Sequence, residues 1–368
     1  MRVFVRVLMI VIIGLTTFTF LPLGNAAYSS TKTDIFIDAD PGVDDAVAIA
    51  WLLEEPSANI VGISTVAGNT TVEDATRNTL SLLEVAERSD IAVTIGAAAP
   101  LEFPLSRVGI FVHGPDGIWG AQQPQDLSNI PTDAPAAIAE AARDNPGMTI
   151  LALGPLTNVA QAIEQYPEDM ANSNILALVG AQNGGNRTPV AETNAFIDPQ
   201  ALTIVLESDV DLTLVPLDAF EQLQVSVNSF PRVFERRFGP VGEFLSVPLQ
   251  QYFLQIQEET GTASIPDAVA AILALQPQLG PTTSALIDSV ENDDITRGQT
   301  VIETVAFDKI PMIADDAELS ALIEQSLTDP DFDLEAALGA ILARRPDNAQ
   351  VILNINERAA LRALIQGL

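Results

Sequence analysis

Asp38-Ala39-Asp40-Pro41-Gly42-Val43-Asp44-Asp45-Ala46-Val47-Ala48 puts four carboxylates into one strand-to-helix junction. The residues before it, Asp34 to Asp38, read as an apolar strand. Pro41 and Gly42 make a turn, and Asp44 and Asp45 open a helix whose apolar face is Val43, Val47, Ala48 and Trp51. Acids in a first helical turn gain from the helix dipole, but four in so small a volume repel one another. Oxygen-only ligands of this kind suit a hard cation, calcium or magnesium. The turn alone also allows a plainer assignment, with Asp40 as a helix cap and the other acids solvated.

Outward from this junction the chain alternates apolar strands with amphipathic helices. Asn59 to Val66 reads as a strand and Thr71 to Arg88 as a helix. Ile91 to Ile95, Met148 to Leu153, Ile175 to Val179 and Leu212 to Leu217 read as further strands. Short apolar runs bounded by Gly and Asn are typical of buried parallel strands. The pattern predicts an α/β fold, one large domain with a mainly parallel central sheet flanked by helices. In such sheets ligands bind beyond the carboxyl ends of the strands. Asp40, Asn69, Leu153 and Gly180 all fall there. Residues 314–368 read as a divergent, largely helical C-terminal extension of the same domain, with breaks near Asp329-Pro330 and Arg345-Pro346.

A chain of 368 residues, 48% hydrophobic and 18% charged, can bury a large core. Its formal charge of −32 argues against nucleic acid or an anionic membrane as partner. Residues 1–27 read as a signal peptide: Arg2 and Arg6, an apolar run from Leu8 to Leu23, then Gly24-Asn25-Ala26. The run is short for a spanning helix, although an uncleaved anchor is the alternative. Without cysteine there is neither lipobox nor disulfide. The expectation is a domain of residues 28–368, periplasmic or secreted, with no stable membrane association.

Four more segments carry polar groups at strand ends: Val66-Ala67-Gly68-Asn69; Leu153-Gly154-Pro155-Leu156-Thr157-Asn158; Asn186 with Glu192 and Asn194; and Ile265-Pro266-Asp267-Ala268-Val269-Ala270. Each alone is explained by turns and caps. Together with the aspartate motif, from about Thr33 to Val301, they resemble the calcium-dependent nucleoside hydrolases of the inosine–uridine-preferring group. Thr296-Arg297-Gly298-Gln299-Thr300-Val301 also looks like that family. The resemblance implies hydrolysis of the N-glycosidic bond of a ribonucleoside to ribose and free base, by a homodimer or homotetramer. It implies Asp40, Asp45, Asp267 and the Leu153 carbonyl as ligands of Ca2+, and Asp40 also as the base that activates water. It places Asp44, Asn69, Asn186, Glu192 and Asn194 on the ribose hydroxyls, with Asp267 beside them. Such amide and carboxylate groups supply the donors and acceptors that vicinal hydroxyls need.

The nucleobase side departs from the family. A histidine usually precedes the distal calcium aspartate, and here that residue is Pro266. The chain's single histidine, His113, lies in Phe111-Val112-His113-Gly114-Pro115-Asp116-Gly117, which resembles the family's His-Gly loop. It is the candidate general acid, the alternative being a residue that merely orders its loop. Trp119 offers a stacking surface, Trp51 reads as core, and Tyr252, Gln255 and Gln257 could line the base pocket. Gln182-Asn183 stands where small residues are usual, so added amides near the site are expected. Two other functions fit the same motifs: a calcium-dependent nucleoside- or ribose-binding protein without turnover, and a hydrolase of another N-ribosyl substrate.

Overall fold

The strand that leads into the aspartate motif sends successive side chains to opposite faces, as a period of two requires. Ile35, Ile37 and Ala39 enter one apolar core and Phe36 enters another. A strand buried on both faces must be a central one. In the computed structural model, which describes residues 32–171, 173–292 and 295–366, this strand, β1 (Thr33–Ala39), is flanked by β2 (Ala58–Thr65) and β4 (Thr149–Ala152), both parallel to it. The signal-peptide reading falls outside the described residues.

The other strands are β3 (Val93–Ile95), β5 (Asn174–Ala177), β6 (Asp211–Leu214), β7 (Gln224–Ser226), β8 (Thr262–Ser264), β9 (Thr282–Ser289), β10 (Thr300–Glu303) and β11 (Ala349–Ile352). Nine of them form one sheet in the order β10-β9-β11-β6-β5-β4-β1-β2-β3. It is parallel from β3 through to β11, and only β9 runs against its neighbours β11 and β10. β7 and β8 make a separate two-stranded ribbon. Helices cover both faces, so the predicted α/β architecture is what the chain adopts. No helix among the described residues is long and apolar enough to cross a membrane.

Predicted and observed elements agree in order and differ at their ends. The apolar run from Leu212 stops as a strand at Leu214. Pro216 cannot donate to the ladder, and a one-turn helix, Leu217–Phe220, follows it. The larger correction concerns the C-terminus. Residues 349–352 are β11, which pairs with β6 on one side and β9 on the other. The last helix, Glu357–Gln366, closes over the core, where the Trp51 indole N–H donates to the Ala363 carbonyl at 3.0 Å. Trp51 is thus core, as read. Only the helices Asp316–Thr328 and Leu334–Leu342 stand apart as an addition, packed on a small cluster of Ile310, Ala314 and Ile341.

This division predicts two responses. Val351→Asp places a charge in a fully buried central strand and should destabilise the protein by several kcal/mol. Leu327→Asp, on the outer helix with its side chain 80% exposed, should change stability by no more than about 0.5 kcal/mol. Denaturant unfolding of the two variants checks both.

Candidate active site

β1 ends by delivering Asp40 into the interior, 1% exposed. The Asn69 backbone N–H, just beyond β2, donates to Asp40 Oδ2 at 2.6 Å. Two glycines make room for the carboxylate: a side chain at Gly68 would collide with Oδ2, and one at Gly154 would lie 2.7 Å from Oδ1. Beneath it, Asp38 is anchored by the Ser64 hydroxyl at 2.5 Å and the Asn158 amide at 2.7 Å. Asn158 also bridges to the Thr65 carbonyl and accepts the Ala97 N–H. Burial pushes Asp38 up to about 6 against those two hydrogen bonds. The turn itself is tied down by Asn78, whose amide donates to the carbonyls of Pro41 and Asp116.

The first helix, Val43–Glu54, presents Asp44 and Asp45, and the helix Pro266–Leu275 presents Asp267 from its own first turn. Carboxylate oxygens of these three buried residues lie within 4.8 Å of one another. The trio differs from the expected ligand set. Asp44, expected only on the sugar, is a member, and Asp40 is not. Asp45 Oδ2 accepts the Gly42 N–H at 2.9 Å and the Asn69 amide at 3.1 Å, while Asp45 Oδ1 is buried without a partner. Among the described residues no Lys or Arg pairs with any of these acids. The nearest potential cation is His113, whose Nδ1 lies 3.6 Å from Asp44. That nitrogen accepts the Val43 N–H at 3.2 Å, and burial lowers the ring's proton affinity against the opposing pull of Asp44.

The electrostatic result is direct. Burial first, then the neighbouring carboxylates, push Asp40 and Asp267 well above the usual carboxylate range and Asp45 up to about 7. A buried, oxygen-only cluster with an unpartnered carboxylate oxygen and no internal countercharge fits a hard divalent cation.

A cavity of about 440 Å³ opens above the cluster, within the usual size range of small-molecule sites. Asp44, Asn69, His113, Leu153, Asn186, Glu192, Asn194 and Asp267 all line it. Glu192 caps the short helix Thr193–Ile197, accepting N–H groups from Gly180, Asn194 and Ala195 at 2.9–3.0 Å. Burial nevertheless pushes it up to about 7. The Asn194 amide is held by the carbonyls of Leu153 and Leu178, each at 2.8 Å. Asn186 accepts the N–H and hydroxyl of Thr193.

The opposite wall is partly as expected. Tyr252 lines the cavity from the long helix Phe230–Ile256, its hydroxyl 3.2 Å from Asp44 Oδ2 and its ring 5.6 Å from His113. Gln255 and Gln257 do not reach the cavity; Ile256 does, one turn beyond Tyr252 on the same helix face, and Glu258 does from just past the helix end. Trp119 is also absent from it, its indole N–H spent on the Val112 carbonyl at 3.0 Å. Gln182-Asn183 adds no amides there either: both backbone N–H groups and the Asn183 amide bind the Asp218 carboxylate. Pro266 lines the cavity at the first position of its helix, where a ring fits but nothing can be donated. Arg187, which no motif had singled out, is the one Lys or Arg among the lining residues.

Because native pKa values are raised, the cation-free protein holds protons that its unfolded chain releases. Its stability should therefore fall as pH rises from about 4 through about 7. Melting scans in a chelator should show a higher Tm at pH 5 than at pH 8. Saturating calcium should raise the pH 8 value most, since it replaces those protons.

The comparisons with known proteins agree with this geometry. The model of the inosine-uridine preferring nucleoside hydrolase family matches residues 35–362, well past the end of the motifs at Val301. A probable uridine nucleosidase of Arabidopsis thaliana is 34% identical over 74% of this chain and 86% of its own length. A non-specific ribonucleoside hydrolase of Salmonella typhi is 36% identical over 73% and 87%. Among solved structures, a plant nucleoside hydrolase superposes with a TM-score of 0.74 at 26% identity, covering 91% of this chain and 98% of its own. The chain belongs to the inosine–uridine preferring nucleoside hydrolase family and is an N-ribohydrolase.

Proposed function

We propose that this protein is an exported, calcium-dependent hydrolase of ribonucleosides, with Asp40 as the base. The observation that carries the reading is the buried carboxylate group without internal countercharge at the foot of a nucleoside-sized cavity. Asp44, Asp45 and Asp267 would hold the cation, together with the Leu153 carbonyl and Asp40 that the family resemblance adds. When bound, calcium would supply positive charge that holds the ribose 2′- and 3′-hydroxyls and acidifies the attacking water. The basic and apolar leader of residues 1–27 supports export.

The protein's own groups account for the remaining steps. Water oxygen bonds to C1′, the C1′–N bond breaks, and its electron pair leaves with the base. Asp40 takes the water proton: burial gives its carboxylate a high proton affinity, and the Asn69 N–H holds it in the space that the two glycines leave. The departing base leaves an oxocarbenium-like sugar that the surrounding carboxylates stabilise. Asn69, Asn186, Glu192 and Asn194 hold the sugar hydroxyls. His113 Nδ1 is occupied by Val43, so its proton sits on Nε2, the candidate donor to the leaving base. A binding protein would need no base packed so closely.

Reducing-sugar release from inosine and uridine, with calcium and with a chelator, tests the proposal. Asp40→Asn should lower kcat by about a hundredfold or more while melting as a folded protein; wild-type turnover in that variant would remove Asp40 as base. Deoxyuridine should be hydrolysed at least about a hundredfold more slowly than uridine, since the groups that meet the missing hydroxyl would be left unpaired.

A further inference from the structure

Arg187 is out of place in an active site of this composition. The chain carries a formal charge of −32, and the charged residues on the cavity wall are otherwise acidic: Asp44, Glu192, Glu221, Glu258 and Asp267. Arg187 stands beside Asn186, with one guanidinium nitrogen on the Ser106 hydroxyl at 2.7 Å. Its guanidinium also lies 5.0 Å from the centre of the Phe196 ring. Arg297 packs on that same ring at 3.8 Å and on Phe103 at 4.1 Å. Burial and the charge of Arg187 lower the proton affinity of Arg297. Among the described residues no carboxylate pairs with either arginine. Two guanidinium groups drawn together on one aromatic ring, without a carboxylate partner among the described residues, form a local positive spot suited to receive an anion. Cation–ring contacts hold such groups in place without neutralising them.

Building on the function proposed above, we propose that Arg187 forms a subsite for a phosphate on the 5′-oxygen, so that the cavity accepts ribonucleoside 5′-monophosphates. With the 2′- and 3′-hydroxyls turned toward the buried acids, the 5′-carbon is the part of the sugar directed away from them. Arg187 lines the same cavity and immediately follows Asn186, which is assigned to a sugar hydroxyl. Arginine offers a planar fork of donors matched to phosphate oxygens. Arg297, one ring away, adds field without contact.

The test compares ribose 5-phosphate with ribose, by calorimetry on the calcium-loaded full chain. It also compares inosine 5′-monophosphate with inosine in turnover. Ribose 5-phosphate should bind at least about tenfold tighter than ribose, and Arg187→Gln should remove that advantage. Arg187→Lys should retain part of it. In turnover, the ratio of kcat/KM for the nucleotide to that for inosine should fall about tenfold or more in Arg187→Gln. Equal binding of the two sugars, or an equal loss for both substrates in the variant, overturns the subsite. Cleavage of inosine together with either result leaves the hydrolase reading standing and refutes this inference alone. Preferential binding of the phosphorylated sugar with no cleavage of inosine upholds the subsite and refutes the hydrolase reading.

Discussion

Like charges brought together out of water are the constraint around which this protein is built. Asp40, Asp44, Asp45 and Asp267 are each less than a tenth exposed, and no Lys or Arg among the described residues balances them. A cluster of this kind is unfavourable unless protons or a cation enter it. The fold therefore carries a standing affinity for positive charge at the carboxyl end of its sheet. That is the property a reaction needs when the sugar becomes cationic as its base departs.

Holding such a cluster requires scaffolding fixed by many hydrogen bonds. Asp38 provides part of it, buried under Asp40 and roped to β2 and to the helix after β4 through Ser64 and Asn158. The two glycines beside Asp40 do the complementary work by leaving space. Glu192 and Asn194 spend most of their hydrogen bonds on the backbone. What they present to the cavity is therefore preorganised and does not have to be gathered when substrate arrives.

The motif residues were legible in the sequence because strand period and turn chemistry act locally. Asp44, Asn69, Leu153, Glu192, Asn194 and Asp267 do meet at one cavity, as the carboxyl ends of parallel strands require, while Asp40 lies outside its lining. Failures fell where long-range contacts decide. Residues 349–352 read as part of a largely helical C-terminal extension and are an interior strand, since the neighbours that make them one lie over sixty residues away. Gln182-Asn183 looked like a pocket feature until Asp218, from a different segment, took up its donors. Grouping of Asp44 with Asp45 and Asp267 depends on the relative placement of two helices, which no spacing along the chain encodes. Arg187 belongs to no motif and gains meaning only from what surrounds it, whereas Tyr252 lines the cavity as its place ahead of Asp267 suggested.

The position of β11 bears on how the molecule comes into being. β6 lies within the sheet and β9 can join it only through residues 349–352. A chain emerging from its N-terminus has β6 with one side unpaired, and β9 and β10 detached, until residues 349–352 have been made. Contacts so distant in sequence close slowly, because the entropy of a long loop must be overcome first. Meanwhile the open flank of β6 is an exposed strand edge, the kind of surface on which chains aggregate. Late arrival of β11 leaves assembly of this sheet waiting on residues 349–352, and it concentrates the danger of misassembly in the interval before that strand docks.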